Sequence, residues 1–416
     1  MNQIKTDVVI VGAGIGGYET FRTLARLLRR SGIKKQILII DQNNYFTFTP
    51  MLHEVASGSI EPQHATLPLR ELVYKTPHKF LKARVEKIDP ERKIIFTSQG
   101  EISYEYCVVG LGSGVNYFNT KGAEEFCYGV RTLSKAIKLH EDIFQALENS
   151  SQEEIIFTII GGGFTGVEVA GQFMHLVNHD LKKLYPTKKF QIRLIEAGST
   201  ILKPLPEVVQ KKVSNRLTKY GVKIMLSTPV QEIKKNQIVL LGREALSSTF
   251  TIWSAGVKNI ADLFLDQKFC EKGCISTNEF LEHKQFSSLY AVGDIALSFN
   301  KGAERPQPQL GETAHREGQY IGKHIFNKLK NKSTKPFFFK SAGTLMPIGD
   351  WYGVAVIGKL IFFGRIAWWV RRTVYVLFMP GLLRKLRIVI DWTLHGLGFR
   401  YIIAIEKDKP THSKAI

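Results

Sequence analysis

The 416-residue sequence predicts an α/β protein with two parallel-sheet domains and a helical C-terminal region. Three observations lead there. Two apolar, β-branched runs pass directly into glycine-rich turns and then helix-like stretches, once after Val11 and again after Ile160. Each is followed by another apolar run that ends in an acid. From Trp351 to Ile405 the composition changes, with eight Lys/Arg against the single acid Asp391 and four of the five tryptophans. The length suits two or three domains.

With 44% hydrophobic and 23% charged residues the chain can bury a core, and 57 Lys+Arg against 37 Asp+Glu give a formal charge of +20. Four cysteines exclude a disulfide scaffold and none forms CxxC; Cys270 and Cys274 lack the second pair a zinc site needs, so no metal is expected. Reduced thiols in a reducing compartment are the expectation. The run Val8–Val11 is too short for a secretory signal, and no stretch offers eighteen uncharged apolar residues, so no spanning helix is expected. The charge excess leaves nucleic acid or an anionic membrane as partners.

Asp7–Val11 reads as a buried parallel strand ending in Gly12-Ala13-Gly14-Ile15-Gly16-Gly17, with helix expected over Tyr18–Arg29. Gly12, Gly14 and Gly17 fit GxGxxG. The first allows a tight turn, the second lets a pyrophosphate approach the backbone, and the third lets helix and strand pack closely. The helix N-terminus then offers N–H groups to the anion. Ile37–Ile40 ends at Asp41, placed to accept hydrogen bonds from a ribose. The pattern repeats in Ile155–Ile160, then Gly161, Gly163 and Gly166, a helix from Val167 to about Leu176, and a strand Gln191–Ile195 ending at Glu196. A carboxylate there accepts from a free 2′-hydroxyl and repels a 2′-phosphate, favouring NADH over NADPH. Two such Rossmann-like units imply two dinucleotides, economically a flavin and a nicotinamide, without fixing which unit holds which. Ser288–Asp294 is a third strand ending in Gly-Asp, an acid suited to a flavin's sugar-alcohol chain.

The motifs GAGIGG (Gly12–Gly17), FTPMLHEVASG (Phe48–Gly58), GGGFTGVEVAG (Gly161–Gly171), RLIEAGSTIL (Arg193–Leu202), WSAGVK (Trp253–Lys258) and YAVGD (Tyr290–Asp294) are then informative together. On them the chain resembles the two-dinucleotide flavoprotein oxidoreductases, and within these the type II NADH:quinone oxidoreductases, from Asp7 to about Ile405. The resemblance implies FAD on the first unit, with Asp41 at its adenosine ribose, Val85 (on a strand Ala83–Val85) at the adenine, Asp294 at the ribityl chain and Thr49-Pro50 against the isoalloxazine. It implies NADH on the second unit with Glu196, and Glu168 at the nicotinamide–flavin junction. The family's quinone element resembles Ala-Gln-x-Ala-x-Gln, whereas Gly311–Arg316 here reads Gly-Glu-Thr-Ala-His-Arg. Glu312 and Arg316 share a helix face and can pair. Trp351 stands where a family lysine lies, and His53 where proline is common.

In the tail, Gly364–Met379 reads as a helix in which Arg365, Arg371 and Arg372 interleave with Trp368, Trp369, Tyr375 and Phe378, broken by Pro380-Gly381. Beyond it Arg384, Arg387, Asp391 and His395 form one stripe and Leu386, Val389, Ile390, Leu394 and Leu397 the opposite face. A Trp- and Arg-rich amphipathic pair fits a membrane-binding region lying in the lipid interface, against packing on a core or a dimer contact. No nucleic-acid motif appears and the tail is too apolar for a phosphate-binding face.

The expectation is therefore a peripheral membrane enzyme at the cytoplasmic face of the inner membrane that oxidises NADH and reduces a quinone without pumping protons. Hydride would pass from NADH to FAD and on to the quinone. Glu168, Glu312 and Arg316 are the candidates for arranging the rings, relaying protons and holding a quinone carbonyl. Expected domains are 1–118 and 272–340 for FAD, 119–271 for NADH and 341–416 for the membrane region; the resemblance also implies a homodimer. A flavoprotein reductase with another acceptor, or a non-catalytic flavin-binding membrane protein, are the other readings.

Overall fold

A computed structural model of the chain describes residues 4–149, 153–379 and 382–396. Contacts divide it into two compact units. One comprises Met1–Phe48, Thr66–Val115 and Val257–Ala342; the other comprises Thr49–Ala65, Asn116–Gly256 and the chain from Gly343 onward.

The first unit is built on β1 (Ile4–Val11), whose Val8–Val11 are fully buried, leading into helix α1 (Ile15–Ser31). The helix begins earlier than Tyr18 because the turn glycines join its first turn, the Tyr18 N–H donating to the Gly14 carbonyl at 2.8 Å. Strand β2 (Ile37–Asp41) lies parallel to β1, Val8 opposite Ile37 and Val11 opposite Ile40. Outside β2 is β3 (Lys79–Lys82). Next come β4 (Val85–Asp89), β5 (Ile94–Thr97) and β6 (Gly100–Val109), giving the order β3-β2-β1-β6-β5-β4. Val85 therefore opens a strand, where the sequence suggested that it closes one. Ala83 and Arg84 form the connection, since the Ala83 N–H donates to the Asp41 carbonyl (3.0 Å) and the Arg84 carbonyl accepts from Ser98 (2.9 Å).

In the second unit the short helix α2 (Leu52–Ala56) packs on α3 (Leu133–Asn149). Strand β7 (Glu154–Ile160) runs into α4 (Phe164–Leu176), which starts at Phe164 for the same reason as α1, with the Val167 N–H on the Gly163 carbonyl at 3.1 Å. Strands β8 (Lys189–Ile195), β9 (Val222–Met225) and β10 (Phe250–Trp253) complete an all-parallel sheet in the order β9-β8-β7-β10, with α5 (Glu207–Lys219) between β8 and β9 in the chain. Strand β7, buried from Ile155 to Ile160, needs the nearly continuous apolar run the sequence supplies.

The first unit closes with β11 (Leu289–Ala291), parallel to β6 with Leu289 opposite Cys107, and with α6 (Gly311–Leu329). Helix α6 lies close along α1, and a Cβ on Gly318 would stand 2.4 Å from the Gly16 carbonyl oxygen.

The second unit ends in an antiparallel sheet, β12 (Thr344–Pro347), β13 (Gly353–Ile357) and β14 (Leu360–Gly364), covered by α7 (Arg365–Phe378) and followed by α8 (Leu382–Gly396). One expectation for the tail needs correction. Arg371 and Arg372 do not face outward among the aromatic residues; both are buried, for reasons given below. In α8 the buried line is Ile388 and Trp392, while Leu386, Val389, Ile390 and Leu394 are exposed. Leu397 and the side chains of Arg384, Asp391 and His395 lie outside the described residues. Among the described residues no helix is long and apolar enough to cross a membrane.

The contact between α1 and α6 yields a direct test. Gly318→Ala forces a methyl into the Gly16 carbonyl, an overpacking expected to cost about 1–3 kcal/mol. Thermal melts of the purified variant should show a lower Tm; an unchanged Tm would mean that the helices part without loss.

Candidate active site

Two glycine cradles stand at equivalent places in the two units. In the first, Gly12 turns at φ +91°, where a Cβ would sit 2.5 Å from the Gly110 carbonyl oxygen. In the second, Gly161 turns at φ +106°, with a Cβ falling 2.8 Å from the Ala255 nitrogen. Only glycine holds such turns without strain. Gly17 and Gly166 lie against the carbonyl oxygens of Gly12 and Gly161, where a Cβ would approach to 2.0 and 1.8 Å. Ile15 and Gly16 open α1, and Gly16 packs on Val292, leaving no room for a methyl.

The middle glycines differ in the informative direction. A Cβ on Gly14 would meet only the Gly110 oxygen, at 3.9 Å, and one on Gly163 would meet nothing within 4 Å. Both residues are helix N-caps without a side-chain cap. Each helix thus begins with free N–H groups facing open space, a cradle that fits the pyrophosphate of a dinucleotide.

The acids close both cradles in the same way. Asp41 accepts from the backbone N–H of Ala13 (2.8 Å) and of Asn43 (2.7 Å). Glu196 accepts from Gly162 (2.6 Å) and Gly198 (2.7 Å). Each carboxylate is fixed beside its own turn, where a ribose attached to that pyrophosphate would lie. Burial raises Asp41 above the usual carboxylate range, and the bonds from Ala13 and Asn43 offset this in part.

The other residues singled out in the sequence fall as follows. The chain entering Val85 is tied to Asp41 through the Ala83 bond. Asp294, just past β11, accepts from the Ser113 hydroxyl at 2.6 Å. Thr49 and Pro50 belong to the second unit, on one turn of 3₁₀ helix before α2. Glu312 and Arg316 pair on α6 at 3.2 Å. Glu312 also accepts from the Ser341 hydroxyl and the Ala342 N–H, both at 2.9 Å, which anchors that stretch of chain.

Glu168 sits on α4 with 15% of its side chain exposed. Burial lifts its carboxyl to about 8; the positive Arg371 opposes the rise and Glu54 adds to it. Desolvation therefore outweighs the helix dipole that would favour a carboxylate near this N-terminus.

Several groups around these residues escaped the sequence. Glu317 on α6 is buried and holds the turn before Asp294, accepting from the Gly293 N–H and the Ser298 hydroxyl at 2.7 Å each. Burial pushes it up to about 7. Glu54 on α2 is buried and accepts from Arg371 (Nη1, 2.8 Å) and from the Trp392 indole (3.3 Å). Arg372, also buried, lies 3.7 Å from the centre of the Trp368 ring and 4.2 Å from that of Trp392. Acids or arginines inside apolar helices, as in Leu52–Ala56 and Trp368–Val374, were the available signal. The four cysteines are free, and burial pushes Cys127 up to about 12 and Cys270 to about 11, so these two thiols are not poised as nucleophiles.

Paired cradles without reactive thiols define a two-dinucleotide oxidoreductase architecture. Residues 6–318 match the family model for pyridine nucleotide-disulphide oxidoreductases, and the chain belongs to that family. It is similar in sequence to a type II NADH:quinone oxidoreductase of Staphylococcus saprophyticus, with 26% identity over 369 residues, 86% of this chain and 91% of that one. It is 27% identical over 409 residues to a probable NADH dehydrogenase of Dictyostelium discoideum, covering 92% of this chain and 88% of that one. The fold matches the structure of NDH2 from Plasmodium falciparum in complex with NADH at a TM-score of 0.86 and 19% identity, over 96% of this chain and 99% of the other.

The burial of Glu168 has a measurable pH signature. Folded, it keeps its proton up to about 8, against an ordinary value of 4.5. It therefore adds stability below pH 4.5 that is lost as pH rises toward 8. Glu168→Gln should lose less Tm than the parent between pH 5 and pH 8. Parallel Tm curves for the two proteins would contradict the burial effect.

Proposed function

We propose that this chain is a type II NADH:quinone oxidoreductase with FAD on the first unit and NADH on the second. The observation that carries the reading is the duplicated cradle, each closed by its own acid, Asp41 or Glu196, hydrogen-bonded to the turn. Gly12–Gly17 would hold the FAD pyrophosphate, Asp41 its adenosine ribose, Val85 its adenine through the backbone, and Asp294 its ribityl hydroxyls. Thr49 and Pro50 would pack against the isoalloxazine. Gly161, Gly163 and Gly166 would hold the pyrophosphate of NADH, and Glu196 would take its 2′-hydroxyl. Bound in this way, FAD would supply the chemistry that side chains lack, taking two electrons from NADH and giving them to the quinone.

The net reaction, NADH + H⁺ + quinone → NAD⁺ + quinol, draws one proton from water. Glu168, raised to about 8, carries a proton at neutral pH and is assigned the acid. Arg316, oriented by its pair with Glu312, is assigned the quinone carbonyl. Helices α7 and α8 are assigned the membrane surface, at the cytoplasmic face where NADH is supplied. Their exposed Ile366, Trp369, Leu377, Leu383, Leu386, Ile390 and Leu394 make an apolar face that water alone would disfavour.

Anaerobic addition of NADH to the detergent-purified protein should bleach the flavin absorbance, and ubiquinone or menaquinone analogues should restore it. Bleaching without reoxidation would favour another acceptor, and absence of bleaching would reject the enzyme. Glu196→Ser should raise the use of NADPH relative to NADH by on the order of tenfold, the effect of about 1.4 kcal/mol. An unchanged ratio would remove Glu196 from the discrimination. In sedimentation with anionic vesicles, replacing Leu386, Ile390 and Leu394 by Ser should move the protein to the supernatant while NADH still bleaches its flavin.

A further inference from the structure

A buried chain of polar groups runs from Glu54 to Glu168 inside the second unit. Arg371 on α7 donates to Glu54 through Nη1 at 2.8 Å, and through Nη2 it reaches the Pro50 carbonyl at 3.3 Å and His53 Nε2 at 3.4 Å. The other nitrogen of His53, Nδ1, lies 3.8 Å from Glu168 Oε2. The side chains of His53, Glu54 and Arg371 are 3%, 2% and 1% exposed.

A guanidinium has only hydrogens to offer. The ring nitrogen facing Arg371 must therefore present its lone pair, which leaves the hydrogen of neutral His53 on Nδ1, on the Glu168 side. Burial first, and then the positive charge of Arg371, depress His53 to about 3, so it stays neutral and is not itself an acid. Glu54 is held ionised by Arg371 and Arg372 against the cost of its burial, and it neutralises the guanidinium.

We propose that Arg371 and His53 are positioning residues for Glu168: Arg371 locks His53 in the tautomer whose Nδ1–H faces the Glu168 carboxyl, so that Glu168 can give up and regain its proton. This rests on the reading of Glu168 as the acid of quinone reduction. When the Glu168 O–H bond breaks and its proton goes to the quinone oxygen, the carboxylate left behind meets the His53 N–H and the positive field of Arg371. A proton from water then restores the acid. The 3.8 Å gap lets the neutral acid turn away and the carboxylate close in. Trp351, where the resemblance implies a lysine, instead stacks on Trp368 with ring centres 4.5 Å apart. Arg371 is the cation acting on Glu168. The titratable groups that face Glu168 are His53 and Glu54 from α2 and Arg371 and Tyr375 from α7. Asp350 acts on His53 and pairs with His175 of α4 at 3.3 Å.

The test is the pH dependence of NADH:quinone turnover by the full-length holoprotein, with anaerobic bleaching by NADH and Tm measured alongside. His53→Leu removes both the acceptor and the donor. His53→Gln keeps an amide oxygen for Arg371 and an amide N–H for Glu168. Arg371→Gln removes the charge. In His53→Leu and Arg371→Gln the alkaline limb should move up by about one pH unit, since the carboxylate has lost its stabilisers. In both variants kcat should fall about tenfold or more, with KM for NADH unchanged. His53→Gln should restore the limb and most of the rate. An unmoved limb in His53→Leu overturns the proposal, as does a lower Tm in Arg371→Gln without a shift. Glu168→Gln that keeps the parent profile would instead show that the reading of Glu168 itself fails.

Discussion

The second unit depends on one buried ion pair, Glu54 with Arg371. Both oxygens of Glu54 are engaged, one by Arg371 and one by the Trp392 indole, so α7 and α8 are fastened to α2 through a single carboxylate. Removing either partner would leave an uncompensated buried charge, a loss of about 3–5 kcal/mol. The same guanidinium takes up the Pro50 carbonyl, which places the turn ahead of α2 under the control of a helix 321 residues further along the chain. The pair is thus less a source of net stability than a device of register: it fixes which face of α7 points inward.

Arg372 shows the same economy by other means. It lies between Trp368 and Trp392, whose ring faces partly replace the water it has lost. Burial still pulls it down to about 10, so the aromatic sandwich does not compensate fully. The tryptophans of the tail therefore divide in role. Trp368 and Trp392 are buried against arginine, while Trp369 is half exposed on the outer face with Ile366 and Leu377.

Local chemistry was legible and distant chemistry was not. The strand–glycine–helix–strand–acid pattern is written within one short stretch each time, Asp7–Asp41 and Ile155–Glu196, so the sequence could place both turns and their acids. Helix starts were read late, because glycines that serve as caps also serve as first-turn residues. In the tail the period of hydrophobicity was readable, but period does not say which face is buried. The exposed line of Leu386, Val389, Ile390 and Leu394 and the buried line of Ile388 and Trp392 are both apolar. Arg371 reads as a surface cation until its partner, 317 residues away in sequence, is known. Glu168 stands out in the sequence by its motif, whereas its proton affinity is a property of surroundings drawn from α2 and α7.

The cysteines carry a last consequence. Flavin chemistry in air leaks electrons to oxygen and yields peroxide, which attacks thiolates far faster than thiols. Cys107 and Cys274 are buried, and all four thiols are pushed above their ordinary range by loss of solvent. Thiols held protonated in this way offer such an oxidant little thiolate to attack.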